Sequence, residues 1–372
     1  MYHSNLPGRR SISPNMGPLD QALKIALMLG LSASPSLGAK APRSIDQDHY
    51  QAINGTRLHF RVRGRDSRNP YLLLLHGGPG ASALEFLPWG SLLEDRLNVV
   101  YLDQRGCGLS ERVRFKDPRH PTAAEARGFR FSDMVGDIEG VRKALGVEKW
   151  FVLGHSFGGM VGLEYVTAEP QHVLGYIHMD GLISMPMIHE DWLDYAERAV
   201  KKTASMRAPP ADRKRIREVL DNIAKVRAMS PEDRDRNIGP MVIGKIMPEQ
   251  IRDRFPAANA YDARIDAEVL TRYKITPDKL SASEPKLAIA RNENLARRQV
   301  VSLFQKDRVP TLILNGAEDP IIPPKRARMM RRAVPHSQLV LIERAGHELY
   351  KDQPRRSAAA VLQFTAYRQP RV

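Results

Sequence analysis

Cysteine, aromatic residues and long hydrophobic runs are scarce in this sequence of 372 residues. Cys107 is the one cysteine, so no disulfide within the chain can support the fold. Aromatic residues make up 6% of the chain and are not interleaved with its basic stretches. No segment is long and apolar enough to predict a membrane-spanning helix. With 42% hydrophobic and 27% charged residues, the composition indicates a globular protein that can bury a sizeable core.

Acidic residues are in deficit as well. The 57 Lys and Arg outnumber the 42 Asp and Glu, which gives a formal net charge of +15. Such an excess can indicate binding to nucleic acid or to anionic surfaces. The basic residues are, however, scattered along predicted helices with acids among them, as in Arg213–Glu218. We therefore expect a solvated basic surface and no nucleic-acid partner.

The first 45 residues differ from the rest of the chain. Arg9 and Arg10 precede a short apolar run, Ala22–Leu31, and a stretch of small residues then ends near Ala41. This order resembles an export signal. A disordered tail is the alternative, because the run is brief and contains Lys24. We expect residues 1–45 to be a tail or an export signal, and we favour an exported or periplasmic protein over a cytoplasmic one.

Segments typical of strands and helices alternate along most of the chain. Tyr71–Leu75, Val99–Leu102 and Trp150–Leu153 are continuous apolar runs, which are typical of parallel strands covered on both faces. Helical patterns lie between them, and the same alternation resumes at Thr311–Leu314. The sequence therefore predicts an α/β fold with a mostly parallel, doubly wound sheet. Residues 46–183 and 310–372 would form this core, and the charged, helix-rich stretch 184–309 would be an inserted cap.

A serine lies between one of these strands and a helix. Gly154–Gly158 reads Gly-His-Ser-Phe-Gly and fits the pattern G-x-S-x-G, in which the serine occupies a sharp turn above a sheet. The preceding run Trp150–Leu153 predicts a buried strand, and Met160–Val166 predicts a helix. Because the context matches as well as the pattern, Ser156 is the predicted nucleophile. A dehalogenase or epoxide hydrolase is disfavoured, since those enzymes place an aspartate there.

A serine nucleophile needs a general base, and the base needs an acid that orients it. His347 follows the last predicted strand and is the expected base. Asp319 follows the strand before it, and the chain order Ser156, Asp319, His347 is the order of nucleophile, acid and base in enzymes with this elbow. Asp180, directly after an earlier predicted strand, and Glu318 are alternative acids.

A tetrahedral intermediate also needs two N–H donors. The backbone N–H of Phe157 follows the nucleophile, and Gly78 lies in the glycine-rich turn His76–Gly80, where the backbone can approach a substrate closely. We expect these two N–H groups to form the oxyanion hole. His76 and His155 are expected to be structural, because His347 already fills the position of the base.

These motifs resemble the prolyl aminopeptidase (proline iminopeptidase) family of α/β hydrolases. The resemblance rests on His76–Gly80 (HGGPG), Asp103–Ser110 (DQRGCGLS) and the elbow at Ser156, and it covers Tyr50–Tyr367. It implies an α/β-hydrolase fold and the release of N-terminal proline or a similar residue from short peptides, without a cofactor or metal. It also implies the following site residues: Ser156, Asp319, His347, Gly78 and Phe157.

The elbow departs from the family pattern GGSWG, and its form is also found in esterases. Aminopeptidases of this family hold the substrate's α-ammonium with cap carboxylates, for which Glu190, Asp191 and Asp194 are candidates. An esterase or lactonase acting on small acyl compounds with the same triad is the nearest alternative. A non-catalytic protein that binds a small molecule is the alternative from another class. The expected partner is therefore a small molecule or short peptide, and the sequence does not indicate an oligomeric state.

Overall fold

The computed structural model describes residues 43–117, 121–204, 210–243, 256–282, 284–306, 308–334 and 336–366. The predicted tail or export signal therefore lies outside the described residues, apart from its last three positions. One of these, Ile45, begins a strand that the sequence patterns did not reveal, Ile45–Ile53. Its residues are mostly polar and half-exposed, so they lack the apolar run that marks a central strand.

The described residues form one eight-stranded sheet. Its strands are β1 Ile45–Ile53, β2 Thr56–Gly64, β3 Tyr71–Leu75, β4 Asn98–Asp103, β5 Trp150–His155, β6 Val173–Met179, β7 Thr311–Gly316 and β8 Gln338–Ile342. Their order across the sheet is β1-β2-β4-β3-β5-β6-β7-β8. The β1–β2 and β2–β4 pairs are antiparallel, and all pairs from β4 to β8 are parallel. The predicted mostly parallel α/β fold is confirmed.

Helices cover both faces of this sheet. The α-helices are α1 Leu87–Gly90, α2 Phe131–Ala144, α3 Phe157–Ala168, α4 Met185–Ala204, α5 Pro210–Ala228, α6 Pro231–Ile238, α7 Pro256–Tyr273, α8 Glu284–Glu293, α9 Val301–Lys306, α10 Pro324–Ala333, α11 Leu349–Asp352 and α12 Pro354–Ala366. None of the described helices is both long and apolar enough to cross a bilayer.

The continuous apolar runs follow from this two-sided cover. In β3, Leu73 and Leu75 belong to one buried apolar cluster, and Leu72 and Leu74 belong to another. Successive side chains of a strand point to opposite faces, so each face of the sheet needs its own set of leucines. The run Tyr71–Leu75 is therefore apolar throughout rather than alternating.

The helices between β6 and β7 bury their apolar faces in two ways. Helices α4, α5 and α6 share a separate cluster that includes Leu193, Val219 and Ile238. Helix α7 instead packs on the core, where Tyr261 and Val269 join the cluster of α1 and the central strands. One part of this insertion thus has its own apolar centre, and another part is continuous with the α/β core.

Candidate active site

Ser156 lies in the sharp turn between β5 and α3. Its backbone has φ +53° and ψ −119°, a conformation that residues other than glycine rarely adopt. The two flanking glycines, Gly154 and Gly158, allow neighbouring backbone segments to approach closely at this turn. A Cβ at Gly154 would lie 2.2 Å from the carbonyl oxygen of Gly158, and a Cβ at Gly158 would lie 2.2 Å from that of Leu75. Only glycine fits both positions, which explains the spacing of the elbow pattern.

The side chains predicted as nucleophile, base and acid form one line of hydrogen bonds. Ser156 Oγ is 3.0 Å from His347 Nε2, and His347 Nδ1 is 2.9 Å from Asp319 Oδ2. A carboxylate accepts the Nδ1 proton, so Nε2 is left as the acceptor for the serine hydroxyl. Ser156 therefore faces the ring nitrogen that can take its proton.

The loop after β7 fixes the orientation of Asp319. Its Oδ1 accepts the backbone N–H groups of Ile321 and Ile322 at 2.7 and 3.0 Å, so Oδ2 is directed to His347. Burial opposes protonation of His347, but the negative charge and hydrogen bond of Asp319 raise its pKa above the usual value, and Glu348 adds to this rise. The side chain of His347 is 19% exposed, so it can exchange protons with a bound molecule or with water.

The two alternative acids occupy other positions. Asp180 is fully buried, and its Oδ1 accepts the backbone N–H of Gly316 at 2.8 Å. Glu318 is exposed, and its backbone N–H binds the carbonyl oxygen of Ala345. The structure places Asp319, rather than either of these, against His347 Nδ1.

The predicted oxyanion donors flank Ser156 on two sides. Phe157 is the first residue of α3, and the first N–H groups of a helix have no acceptor within the helix. On the other side the turn after β3 lies against the serine, because a Cβ at Gly77 would be 2.9 Å from Ser156 Cβ. Gly78 follows with φ +110°, a value that a side chain would disfavour.

His76 and His155 brace these loops. His76 Nδ1 donates to the carbonyl oxygen of Gly77, and its Nε2 accepts the N–H of Gln104. His155 Nε2 donates to the carbonyl oxygen of His347 at 2.9 Å. Burial lowers the pKa of both side chains, and the charge of His347 lowers that of His155 further. Both are therefore neutral supports beside the Ser156–His347 pair.

The motif Asp103–Ser110 supports the turn after β3 through hydrogen bonds. Asp103 Oδ1 accepts hydrogen bonds from the hydroxyl of Ser82 and the N–H of Ala83, and its Oδ2 pairs with His59 Nδ1 at 2.8 Å. The role of His59 was not predicted. The alternating pattern of β2 places His59 on the sheet, but it does not reveal a partner that is 44 residues away.

The acids predicted to bind a substrate ammonium are all held by basic side chains. Asp191 is buried against Arg326 and Lys325, with its Oδ2 2.6 Å from Arg326 Nε and its Oδ1 2.5 Å from Lys325 Nζ. In the same helix, α4, Glu190 pairs with Arg234, and Asp194 pairs with Arg227. Each candidate thus has a basic partner, and Asp191 joins α4 to α10.

A different set of carboxylates lies beside His347. We call Glu85, Asp262 and Glu348 the acidic group; Lys351 Nζ is 3.0 Å from Asp262 and 3.2 Å from Glu348. Burial and the charges of Glu348 and Asp262 raise the pKa of Glu85 to about 8, although Lys351 opposes this rise. The sequence offered one signal for this group, namely the position of Glu348 directly after His347. Asp262 comes from α7, whose packing the sequence did not indicate.

One group among the described residues has the spacing of metal ligands. Glu139, Glu169 and His172 each offer one ligand atom, and these atoms lie within 4.8 Å of one another. The Arg142 guanidinium binds Glu139 at 2.6 Å and approaches His172 Nε2 at 3.5 Å. A cation there would have to displace this arginine.

Comparisons with known proteins identify the class. The model of the alpha/beta hydrolase fold family matches residues 70–217 and 272–354, which is more than half of the chain. The chain therefore belongs to the α/β hydrolase family.

Within that family, its relatives include proline iminopeptidases, so the predicted resemblance is confirmed. The chain is 33% identical to the Thermoplasma volcanium proline iminopeptidase over 142 residues, which are 38% of this chain and 44% of that protein. It is 28% identical to the Neisseria meningitidis serogroup B enzyme over 317 residues, which are 81% of this chain and 91% of that protein. The chain thus spans less than half the length of the first of these relatives.

Solved structures show the same fold. A proline iminopeptidase-related protein from Thermus thermophilus has a TM-score of 0.63 at 24% identity, covering 87% of this chain and 98% of its own. The proline iminopeptidase of Mycobacterium smegmatis has a TM-score of 0.58 at 21% identity, also covering 87% and 98%. At these identities the likeness concerns the fold alone.

Proposed function

We propose that this hydrolase forms an acyl-enzyme at Ser156 and releases N-terminal proline or a similar residue from short peptides. The observation that carries the proposal is the line of hydrogen bonds from Ser156 Oγ through His347 to Asp319. The resemblance to proline iminopeptidases supports the choice of substrate. The proposed acyl-enzyme mechanism, in contrast, is argued from the side chains of this protein.

The first half of the proposed reaction makes the acyl-enzyme. His347 Nε2 takes the proton of Ser156 as Oγ attacks the carbonyl carbon of the scissile amide. Asp319 stabilises the imidazolium that results, and the backbone N–H groups of Phe157 and Gly78 stabilise the oxyanion. His347 then gives its proton to the amide nitrogen, the C–N bond breaks, and the shortened peptide leaves.

The second half restores the enzyme. A water molecule gives a proton to His347 Nε2 and attacks the ester carbon at Ser156. As the second tetrahedral intermediate collapses, the proton returns to Oγ and the free amino acid leaves. The roles of Asp319, Phe157 and Gly78 are the same as in the first half.

The charge of the acidic group favours a substrate with a free amino terminus. Glu348 follows His347 in the chain, and its negative charge acts on both His347 and Glu85. Lys351 joins Glu348 to Asp262, so Glu348 connects the acidic group to the proposed base. Glu85 is largely protonated near neutral pH, but Asp262 and Glu348 carry two negative charges against the single positive charge of Lys351. The remaining negative charge would attract an ammonium group. In contrast, Glu190, Asp191 and Asp194 are neutralised by their basic partners. We therefore propose the acidic group, and not the three cap acids, as the region that receives the α-ammonium.

The nucleophile is tested with Ser156→Ala and with Ser302→Ala, an exposed serine in α9, as the matched control. We expect the first variant to lose several orders of magnitude in kcat/KM and to resist labelling by a fluorophosphonate, while the control keeps both activities. Unchanged ester hydrolysis by Ser156→Ala would refute the serine mechanism.

The substrate is tested with prolyl-naphthylamide, its N-blocked form and p-nitrophenyl acetate. A peptidase should turn over the first compound and not the second. At an alkaline pH, where His347 is neutral in both proteins, Glu348→Gln should raise KM for the first compound several-fold and leave acetate hydrolysis unchanged. Glu190→Gln serves as the control and should change neither. Turnover of the acetate alone would favour an esterase, and binding without any turnover would favour the non-catalytic alternative.

A further inference from the structure

Asp180 is a buried carboxyl group beside the site that the proposed reaction does not use. It directly follows β6, and its backbone N–H binds the carbonyl oxygen of Leu314 at 2.9 Å. Its side chain is fully buried, and Oδ1 accepts the N–H of Gly316 at 2.8 Å. Gly316 begins the turn that leads to Asp319, because the Asp319 N–H approaches the Gly316 carbonyl oxygen at 3.3 Å. Asp180 thus contacts the start of the loop that carries the proposed triad acid.

The second oxygen of Asp180 has a different environment. Oδ2 is buried and has no donor among the described residues. Its neighbour is the carboxyl group of Asp319, which is an acceptor when ionised. Two adjacent buried carboxylates repel each other, and an unpaired buried charge is costly, so one of the two groups must carry a proton.

The surrounding donors decide which group is protonated. Asp319 accepts three hydrogen bonds, from the N–H groups of Ile321 and Ile322 and from His347 Nδ1, so both of its oxygens already act as acceptors. Asp180 receives one, from Gly316. Burial first, and then the negative charge of Asp319, raise the pKa of Asp180 well above its usual value, although the N–H of Gly316 opposes this rise.

We propose that Asp180 is a positioning residue that remains a neutral carboxylic acid and donates its Oδ2 proton in a hydrogen bond to Asp319. This inference rests on the proposed function of the Ser156–His347–Asp319 line. The bond holds Asp319 against His347 and withdraws part of its negative charge, so it moderates the basicity of His347. No proton is transferred from Asp180 during the reaction.

The test measures the pKa of His347 directly, by NMR titration of histidine labelled with ¹³C at Cε1. His347→Gln assigns the signal, and no substrate is needed, so failure of this proposal is distinguishable from failure of the proposed reaction. The charged and titratable groups that face His347 or Asp180 are Asp319, Asp352, Glu348 and His155. They remain unchanged in the variants.

In Asp180→Asn the amide keeps the size of the side chain, accepts the Gly316 N–H and donates to Asp319. If Asp180 is neutral, the pKa of His347 should shift by less than about 0.3, and kcat/KM should remain within about threefold of the wild type. If Asp180 were ionised, removal of its charge would lower the pKa of His347 by about one unit. That larger shift would overturn the proposal.

Asp180→Ala removes the donor. We expect a roughly tenfold lower kcat with little change in KM, because Asp319 loses its orientation while substrate contacts remain. Equal losses in the Ala and Asn variants would contradict the proposal, since the amide supplies the same bonds. If the Ala variant does not fold, the titration of Asp180→Asn still decides the question.

Discussion

His347 is in contact with a hydroxyl, whose proton it is proposed to accept, and with a carboxylate that favours its protonated form. The second contact raises its pKa above the usual histidine value, and Glu348 contributes to the rise. A base must be neutral before it can accept a proton, so the same carboxylate that orients the ring also limits activity in acid.

This balance predicts the pH dependence of the reaction. As the pH falls, kcat/KM should decrease with a midpoint above the usual histidine pKa of about 6.5. Glu348→Gln should lower the midpoint by a few tenths of a unit, because the side chain is partly exposed and its charge is screened. Glu343→Gln, an exposed carboxyl on the same loop, is the control. A wild-type midpoint at or below 6.5 would contradict the prediction.

The residues of the candidate site differ in how far the sequence could predict them. Ser156, Asp319 and His347 follow strand ends and have a characteristic chain order, so local patterns suffice to select them. The choice between Asp319 and Asp180 was open, because both follow strands. It depends on which carboxyl group reaches His347 Nδ1, and that distance exists only after the strands have been placed side by side.

Among the secondary-structure elements, α4 has a specific connection to the loop of the proposed acid. Trp192 Nε1 donates to the carbonyl oxygen of Ile321 at 3.0 Å, and Asp191 pairs with Arg326 at the start of α10. Ile321 in turn gives its N–H to Asp319. The inserted helix therefore holds this loop through one hydrogen bond and through the two ion pairs of the buried Asp191.

The connection predicts different effects for two neighbouring acids. Asp191→Asn should lower the free energy of unfolding by about 2–3 kcal/mol, because its carboxylate is buried between two cations. Asp194→Asn should cost less than about 1 kcal/mol, since both the acid and its partner Arg227 are partly exposed to solvent. Urea unfolding measures both. If Asp191→Asn raised KM while stability stayed unchanged, Asp191 would be a substrate contact instead.

At the scale of the whole molecule, a buried histidine links distant parts of the chain. His59 on β2 lies between Asp103, at the end of β4, and Asp48 on β1. Asp48 also accepts the hydroxyl of Tyr273 from α7, and Asp103 accepts that of Ser82 after β3. One edge of the sheet, the turn beside Ser156 and the inserted helices are thus joined by one network.

This network predicts a loss of stability at alkaline pH. Burial opposes the charge of His59, but its bonds to Asp103 and Asp48 raise its pKa to about 9. The stabilisation is therefore complete below the unfolded pKa of about 6.5 and is lost as the pH rises through about 9. In urea unfolding, the stability difference between wild type and His59→Gln should shrink by on the order of 2 kcal/mol between pH 6 and pH 10.

Exposed His336 provides the control, because His336→Gln should show no such change with pH. Wild-type and His59→Gln curves that stay parallel from pH 6 to pH 10 would show that the charge of His59 does not contribute to stability.

The sequence by itself determined the central strands, the elbow and the order of the proposed triad, because apolar runs, glycine spacing and chain order are local properties. It did not reveal β1, whose polar residues pair at an edge and bury little apolar surface. Only the tertiary structure decided which acid faces His347, that the cap acids are neutralised, and that the acidic group lies beside the base. Those facts depend on contacts between residues far apart in the chain, which no local pattern specifies.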